Sequence, residues 1–345
     1  MDRWLERLRQ RTDGFTVTPR QYAIAAYLAL AALTLIVLTG AAVRLTGSGL
    51  GCPEWPRCYG NAYPPLNTHA VIEFSNRLIT FPVCIAAGAA WLLALRRRPY
   101  RRDLAWLAGL LPLGVVAQAI LGGLTVRGAL DYGWVMAHFA LSMLIIAAAV
   151  TLVWRARRYA LVDLPEVPSP NGSSAPLPEL PHHAVDRPLQ RASWTLVGLA
   201  ALTIFAGTAA TAAGPHAGGS PGQKINRLDF DGRATMDFVI HRHAEIAFLF
   251  SLVAVFVWWL ARRRRADPLV RRSLTVLCLL LALQGIVGLD QYETHLPTEL
   301  VWLHVTLACA AWIATLWTAW AAGAGLAEAD VPEPRHVAPP ASVSV

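Results

Sequence analysis

Four histidines set in apolar surroundings are the residues of this 345-residue chain whose types and spacing could do chemistry. His138 lies a little over one helical turn into an apolar run, and His304 lies at the same depth in another. A third run opens "MDFVIHRHAEIAF" and carries His241 and His243 at a similar depth. An ionisable side chain inside an apolar segment is costly and marks a candidate site. Imidazoles at one depth on facing helices of a four-helix bundle are what two-histidine haem ligation needs. With no cysteine or carboxylate close by, iron is favoured over zinc or copper. His241 and His243 point about 200° apart on a helix, so only one can face the bundle axis.

A second cluster sits in "HAVIEFSNRL", residues 69–78, at the start of another apolar run. Glu73 and Asn76 are three apart and share a helix face. Glu73 could serve as an acid, a base or a stabiliser of an intermediate. It could equally be the i,i+4 partner of Arg77. Asn76 is a poor haem ligand, so an iron held by His138 in this part of the chain could keep an open face, where oxygen chemistry occurs. His69, two turns from Asn76, is poorly placed to substitute. Arg44 and Arg77 suit the carboxylates of haem propionates, or simply snorkel to the membrane surface.

The elements that must hold these residues are membrane spans. The chain is 55% hydrophobic with a mean hydropathy of +0.42, too apolar for an ordinary soluble protein. Its net charge is 30 − 22 = +8, but the arginines cluster beside apolar runs, which argues for membrane topology and against nucleic acid. Runs long enough to cross a bilayer fall near 22–44, 69–95, 104–126, 133–154, 193–213, 236–261, 273–290 and 299–322. Segments this long in lipid are helices. Arginine clusters precede the first span and follow the second, fourth and sixth. Both termini are therefore expected in the cytoplasm, with the loop carrying Cys52 and Cys58 on the outer face of the cell membrane. No cleavable signal peptide is expected, because the chain is polar up to Arg20. Cys84, Cys278 and Cys309 read as small buried side chains.

The fold class expected is an all-α integral membrane protein, with eight transmembrane helices in two tandem four-helix bundles. A cytoplasmic segment 1–21 leads into the first half, 22–154. A Pro/Ser-rich linker, 155–192, joins it to the second half, 193–322, and 323–345 is a tail. His182 and His183 in the linker are expected to be solvated. The halves are related by a nearly constant offset: Gln118 to Gln284 is 166, Gly40 to Gly207 is 167, and His138 to His304 is 166. This is the mark of an internal duplication in which both copies point the same way across the membrane. The repeat lays Asn76 over His243, and so selects His243, with His241 as the alternative.

"GAAVRLTGSGLGCPEWPRC", "IEFSNRL", "QAILGGLTV" and "WVMAHFALS" together resemble the haem A synthase family, and the resemblance runs through all eight spans. "GPHAGG" (214–219) is similar to the matching loop of actinobacterial-type members. The resemblance implies oxidation of the C8 methyl of haem O to the formyl group of haem A, for cytochrome c oxidase assembly. It implies that the first half is the catalytic half, with Glu73 catalytic and His138 an iron ligand. It also implies a haem b held by His243 and His304, and a disulfide between Cys52 and Cys58. Haem O synthase (protohaem farnesyltransferase) is the expected partner within the lipid bilayer, and a homo-oligomer is left open. Two features depart from the fullest family pattern: Asn76 stands where a histidine is usual, and the loop 214–235 has no cysteine. The competing readings are a dihaem electron-transfer cytochrome, which fits every histidine, and a transporter, suggested only by the duplicated spans.

Overall fold

The computed structural model describes residues 15–163, 186–220 and 222–323. Among them are eight long helices: α1 (Pro19–Leu45), α2 (Thr68–Arg96), α3 (Arg102–Arg127), α4 (Tyr132–Val162), α5 (Arg187–Ala213), α6 (Arg233–Arg263), α7 (Pro268–Glu293) and α8 (Thr298–Ala322). Each is long and apolar enough to cross a membrane. The helix starts are written locally. Thr18 and Gln21 form a capping box ahead of Pro19. Asn67 accepts the Ala70 N–H at the start of α2, and Asp267 accepts the Leu269 N–H just after Pro268. Each satisfies a backbone donor that the first turn would leave unpaired.

The helices run past the apolar stretches that announced them. α4 continues through Val162 and α5 begins at Arg187, so both ends of the expected linker 155–192 are helical. Arginine and alanine are good helix formers, and "RARRYALV" prolongs α4 beyond its apolar part. Residues 164–185 of that linker, with His182 and His183, lie outside the described residues, as do residues 1–14, 221 and 324–345.

α1 to α4 form one ring of four, each helix packed on its two neighbours, and α5 to α8 form another. The rings meet where α8 lies against α1 and α4, and where α4 meets α5. Small side chains let the backbones approach: Ala26, Ala29, Ala87, Ala90, Ala94 and Ala108 are fully buried in the first ring. Along the seam the indoles of α8 donate across. Trp302 Nε1 bonds the Leu38 carbonyl at 3.0 Å, Trp312 Nε1 the Met143 carbonyl at 3.0 Å, and Trp320 Nε1 the Thr151 hydroxyl at 3.1 Å. A buried indole N–H needs such a partner. Of the three lone cysteines only Cys309 is buried; Cys278 is half-buried, and Cys84 is exposed on α2, contrary to expectation. Lipid in place of water makes that position tolerable for a small apolar side chain.

At the end away from Cys52, charged groups tie α2, α3 and α4 together. Asp163 accepts from Arg97 and from Arg101, each at 2.7 Å. The side chain of Arg97 is fully buried. Asp103 accepts from Arg155 at 3.0 Å and from the Tyr159 hydroxyl at 3.1 Å.

Candidate functional site

In the second ring, α6 brings His243 against His304 of α8, with ring centres 6.2 Å apart and planes at 73°. His243 Nδ1 is bonded to the Thr203 carbonyl of α5 at 3.0 Å, which leaves Nε2 as its outward nitrogen. His241 is turned away: it is exposed, bonds the Asp237 carbonyl of its own helix at 2.7 Å and stands beside Tyr292. Glycines make room for the rings. A methyl on Gly207 would lie 3.0 Å from the His243 imidazole, and one on Gly288 would lie 3.2 Å from that of His304. Both approaches are tight, so that an added methyl would have to push the imidazole aside.

The first ring repeats part of this construction. His138 rests on Gly122 as His304 rests on Gly288, with a methyl there coming to 3.3 Å. Gln118 Nε2 donates to the His138 carbonyl at 3.0 Å, and Gln284 Nε2 donates to the His304 carbonyl at 3.0 Å. In both rings the histidine Nδ1 and the glutamine Oε1 are buried without a partner. These glutamines mark the repeat in the sequence, but their attachment to the histidine backbone left no sequence signal. The difference lies opposite. Asn76 is tied to α1 by the Thr39 hydroxyl at 2.8 Å. At Gly40, which corresponds to Gly207, a methyl would meet nothing within 4 Å.

Glu73 is buried, 5% exposed. Its Oε2 accepts the Cys52 backbone N–H at 2.7 Å and its Oε1 accepts from Arg77 at 2.5 Å. Arg77 also donates to the carbonyls of Cys52, Glu54, Pro56 and Arg57, at 2.9 to 3.4 Å. Cys52 and Cys58 are joined by a disulfide and are themselves fully buried. Gly51 is obligatory, because a Cβ there would strike the His69 carbonyl. Arg44 reaches the other ring: Nε donates to the His216 carbonyl at 2.8 Å and Nη2 to the Thr211 carbonyl at 3.2 Å. Both arginines are thus engaged by protein groups, and Glu73 has the Arg77 partnership that its spacing allowed. His69 bonds the Ser48 hydroxyl at 3.0 Å, beside the loop. Among the described residues no three His, Cys, Asp or Glu side chains converge on one point.

Residues 23–316 match the family described as cytochrome oxidase assembly protein, COX15-CtaA. A protein of Thermus thermophilus named protoheme IX farnesyltransferase is 29% identical over 81% of this chain and 45% of its own length. A heme A synthase of Bacillus pumilus is 31% identical over 35% of this chain and 40% of its own length. A heme A synthase of Shewanella oneidensis is 26% identical over 78% of this chain and 87% of its own length. The chain thus spans less than half the length of the Thermus and Bacillus proteins it matches. With the family match running from the first helix into the last, the chain belongs to the COX15-CtaA family of cytochrome oxidase assembly proteins.

Proposed function

We propose that the chain is a membrane-bound haem A synthase, which oxidises the C8 methyl of haem O to a formyl group. The observation that carries the reading is the inequality of the two rings: one pairs two imidazoles, and the other has an asparagine, bonded to Thr39, at the position the repeat offset matches to His243. Metal–imidazole bonds of about 2 Å, with each nitrogen about 1.1 Å from its ring centre, put the centres of two ligating imidazoles about 6 Å apart. His243 and His304, at 6.2 Å, fit that spacing. They would hold a haem b, which supplies one-electron transfer when bound. The heme A synthase names of the Bacillus and Shewanella relatives agree with this reading.

In the first ring His138 would hold the iron of the substrate, haem O. Gly122 lets that imidazole lie close to α3, and Gln118 anchors the backbone that carries it. Asn76, a poor iron ligand whose Oδ1 already accepts from Thr39, would leave iron held by His138 accessible to an oxidant such as dioxygen. Glu73 holds a carboxylate at the rim of this ring, fixed by Arg77 and by the Cys52 N–H, where it can stabilise positive charge that develops on the substrate. The Cys52–Cys58 loop covers the same rim, on the outer face by the arginine distribution. In the Thermus relative a stretch like this chain fills under half of a polypeptide named for farnesyl transfer. That supports a haem O synthase as supplier of the substrate, and cytochrome c oxidase assembly as its destination.

Co-expression with a haem O synthase, followed by haem extraction and mass analysis, tests the reading. Haem A, or its hydroxylated intermediate, is expected. Unmodified haem alone, from protein with both haem sites filled, would refute it.

A further inference from the structure

We propose that Trp55 is the lid of the His138 chamber, closing its disulfide end over a planar tetrapyrrole and keeping water from the reacting side. The proposal rests on the functional reading above and adds a residue to it. Trp55 lies in the loop between α1 and α2, inside the span closed by Cys52 and Cys58. Its indole rests on bare backbone of α3: a methyl on Gly123 would lie 3.1 Å from ring atoms Cδ2 and Cε3. The preceding residue, Gly122, gives the same close seat to His138. Two adjacent glycines near the end of α3 therefore seat the candidate iron ligand and the indole on neighbouring faces of one helix. The unbranched backbone between them leaves no side chain to separate the two.

The loop is aimed as well as closed. Arg77 Nη1 donates to the carbonyls on either side of Trp55, those of Glu54 at 2.9 Å and Pro56 at 3.3 Å, and to that of Arg57 at 3.1 Å. Arg77 Nη2 holds Glu73, whose other oxygen holds the Cys52 N–H. A disulfide alone limits how far the loop can open but does not choose which face its tryptophan presents. A guanidinium bonded to the backbone on both sides of the tryptophan does choose. Glu73 and Arg77 thereby act as positioning residues for the indole.

The second ring shares the glycine under its histidine but not the bare seat beside it. Leu289 stands at the position matching Gly123 (289 − 123 = 166), and its side chain is 63% exposed. The bare seat at Gly123 lies in the ring in which Asn76 stands at the position matching His243. An indole offers a broad, flat apolar surface with only two rotatable bonds, which suits it to cover a macrocycle at low entropic cost. Excluding water there strengthens every charge interaction around the reacting carbon.

The test uses the full-length, haem-loaded protein and cyanide as the probe of access to iron, read by stopped-flow absorbance. Trp55→Ala and Gly123→Leu should each accelerate cyanide binding at one haem by about tenfold or more. The spectrum of the His243–His304 haem should stay unchanged, Trp55→Phe should restore most of the protection, and His138→Ala should abolish the fast phase. If Trp55→Ala is lost from the membrane, Gly123→Ala, which crowds the ring by a single methyl, carries the same prediction in smaller measure. Equal cyanide rates across these variants, with both haems bound, would overturn the lid while leaving the functional reading standing. Wild-type protein that binds no haem would overturn the functional reading itself.

Discussion

The buried carboxylate of Glu73 grips the backbone N–H of Cys52 across 21 residues of chain, at 2.7 Å. The acidic residue at the rim of the first ring and the disulfide loop above it are one mechanical unit. A charge-assisted bond to a backbone donor is among the stronger hydrogen bonds available.

Glu73→Ala leaves the Cys52 N–H buried and unpaired, at a cost of about 1–3 kcal/mol. The loop should open more often, so reduction of the disulfide by dithiothreitol, followed by maleimide labelling, should proceed several-fold faster. Haem A formation should cease while the haem b spectrum persists. An unchanged reduction rate together with retained turnover would remove Glu73 from both roles.

His304→Ala breaks the imidazole pair of the second ring. The chain should still insert, because its eight apolar helices are untouched, but the low-spin haem b signal should vanish from the purified protein. Undiminished haem content would show that these two histidines do not share an iron.

Gln284 donates to the carbonyl of His304 from the facing helix, and groups that orient a ligand from behind typically alter affinity by about 10–100-fold when removed. Gln284→Leu should weaken haem retention in the second ring within that range, measured by transfer of haem to apomyoglobin. Gln118→Leu should do the same in the first ring only. A loss that is equal in both rings for either single variant would indicate general unfolding instead.

Asp163 bridges Arg97 and Arg101 at the opposite end of the first ring. Burial works against its ionisation, but the bonds from Arg101 and Arg97 outweigh this and hold its carboxyl below the usual carboxylate range. A depressed folded-state value means that the stabilisation is complete above the unfolded value of about 4 and fades as pH falls through the lower, folded one. Thermal unfolding in detergent should therefore show a loss of stability below about pH 4 that Asp163→Asn no longer shows. At neutral pH, Asp163→Ala strands the buried Arg97 guanidinium and should cost about 3–5 kcal/mol. A pH profile identical in wild type and Asp163→Asn would show that the bridge contributes nothing.

Much of this was readable in advance because it is periodic or long. Apolar runs of membrane length and the arginines flanking them located every helix. A repeated offset, taken with depth, singled out the His304 and His243 positions that the fold brings face to face. The partners of Arg44, and those of Arg77 beyond Glu73, were not readable, because they are backbone carbonyls, and every residue has one. The seat of Trp55 on Gly123 was hidden for a related reason: contact between a loop and bare helix backbone follows from tertiary approach, with no local pattern to announce it. Helix ends were misjudged where apolarity stops before helicity does, as in the last turns of α4, where Arg155 and Tyr159 keep the coil going and find a common partner in Asp103.

Arg44 donates to the carbonyl of Thr211, 167 positions away, which is the residue that the repeat offset makes its own counterpart. If the halves are related as the offset implies, a side chain that bonds its counterpart would lie near the axis between them. Two identical halves assembled as a homodimer would bring two guanidiniums to that axis, each aimed at the carbonyl beside the other. With threonine on one side and arginine on the other, a clash of like charges becomes a one-way clasp. The contact between the halves at this point is therefore one-sided: a single guanidinium from the first half holds two carbonyls of the second.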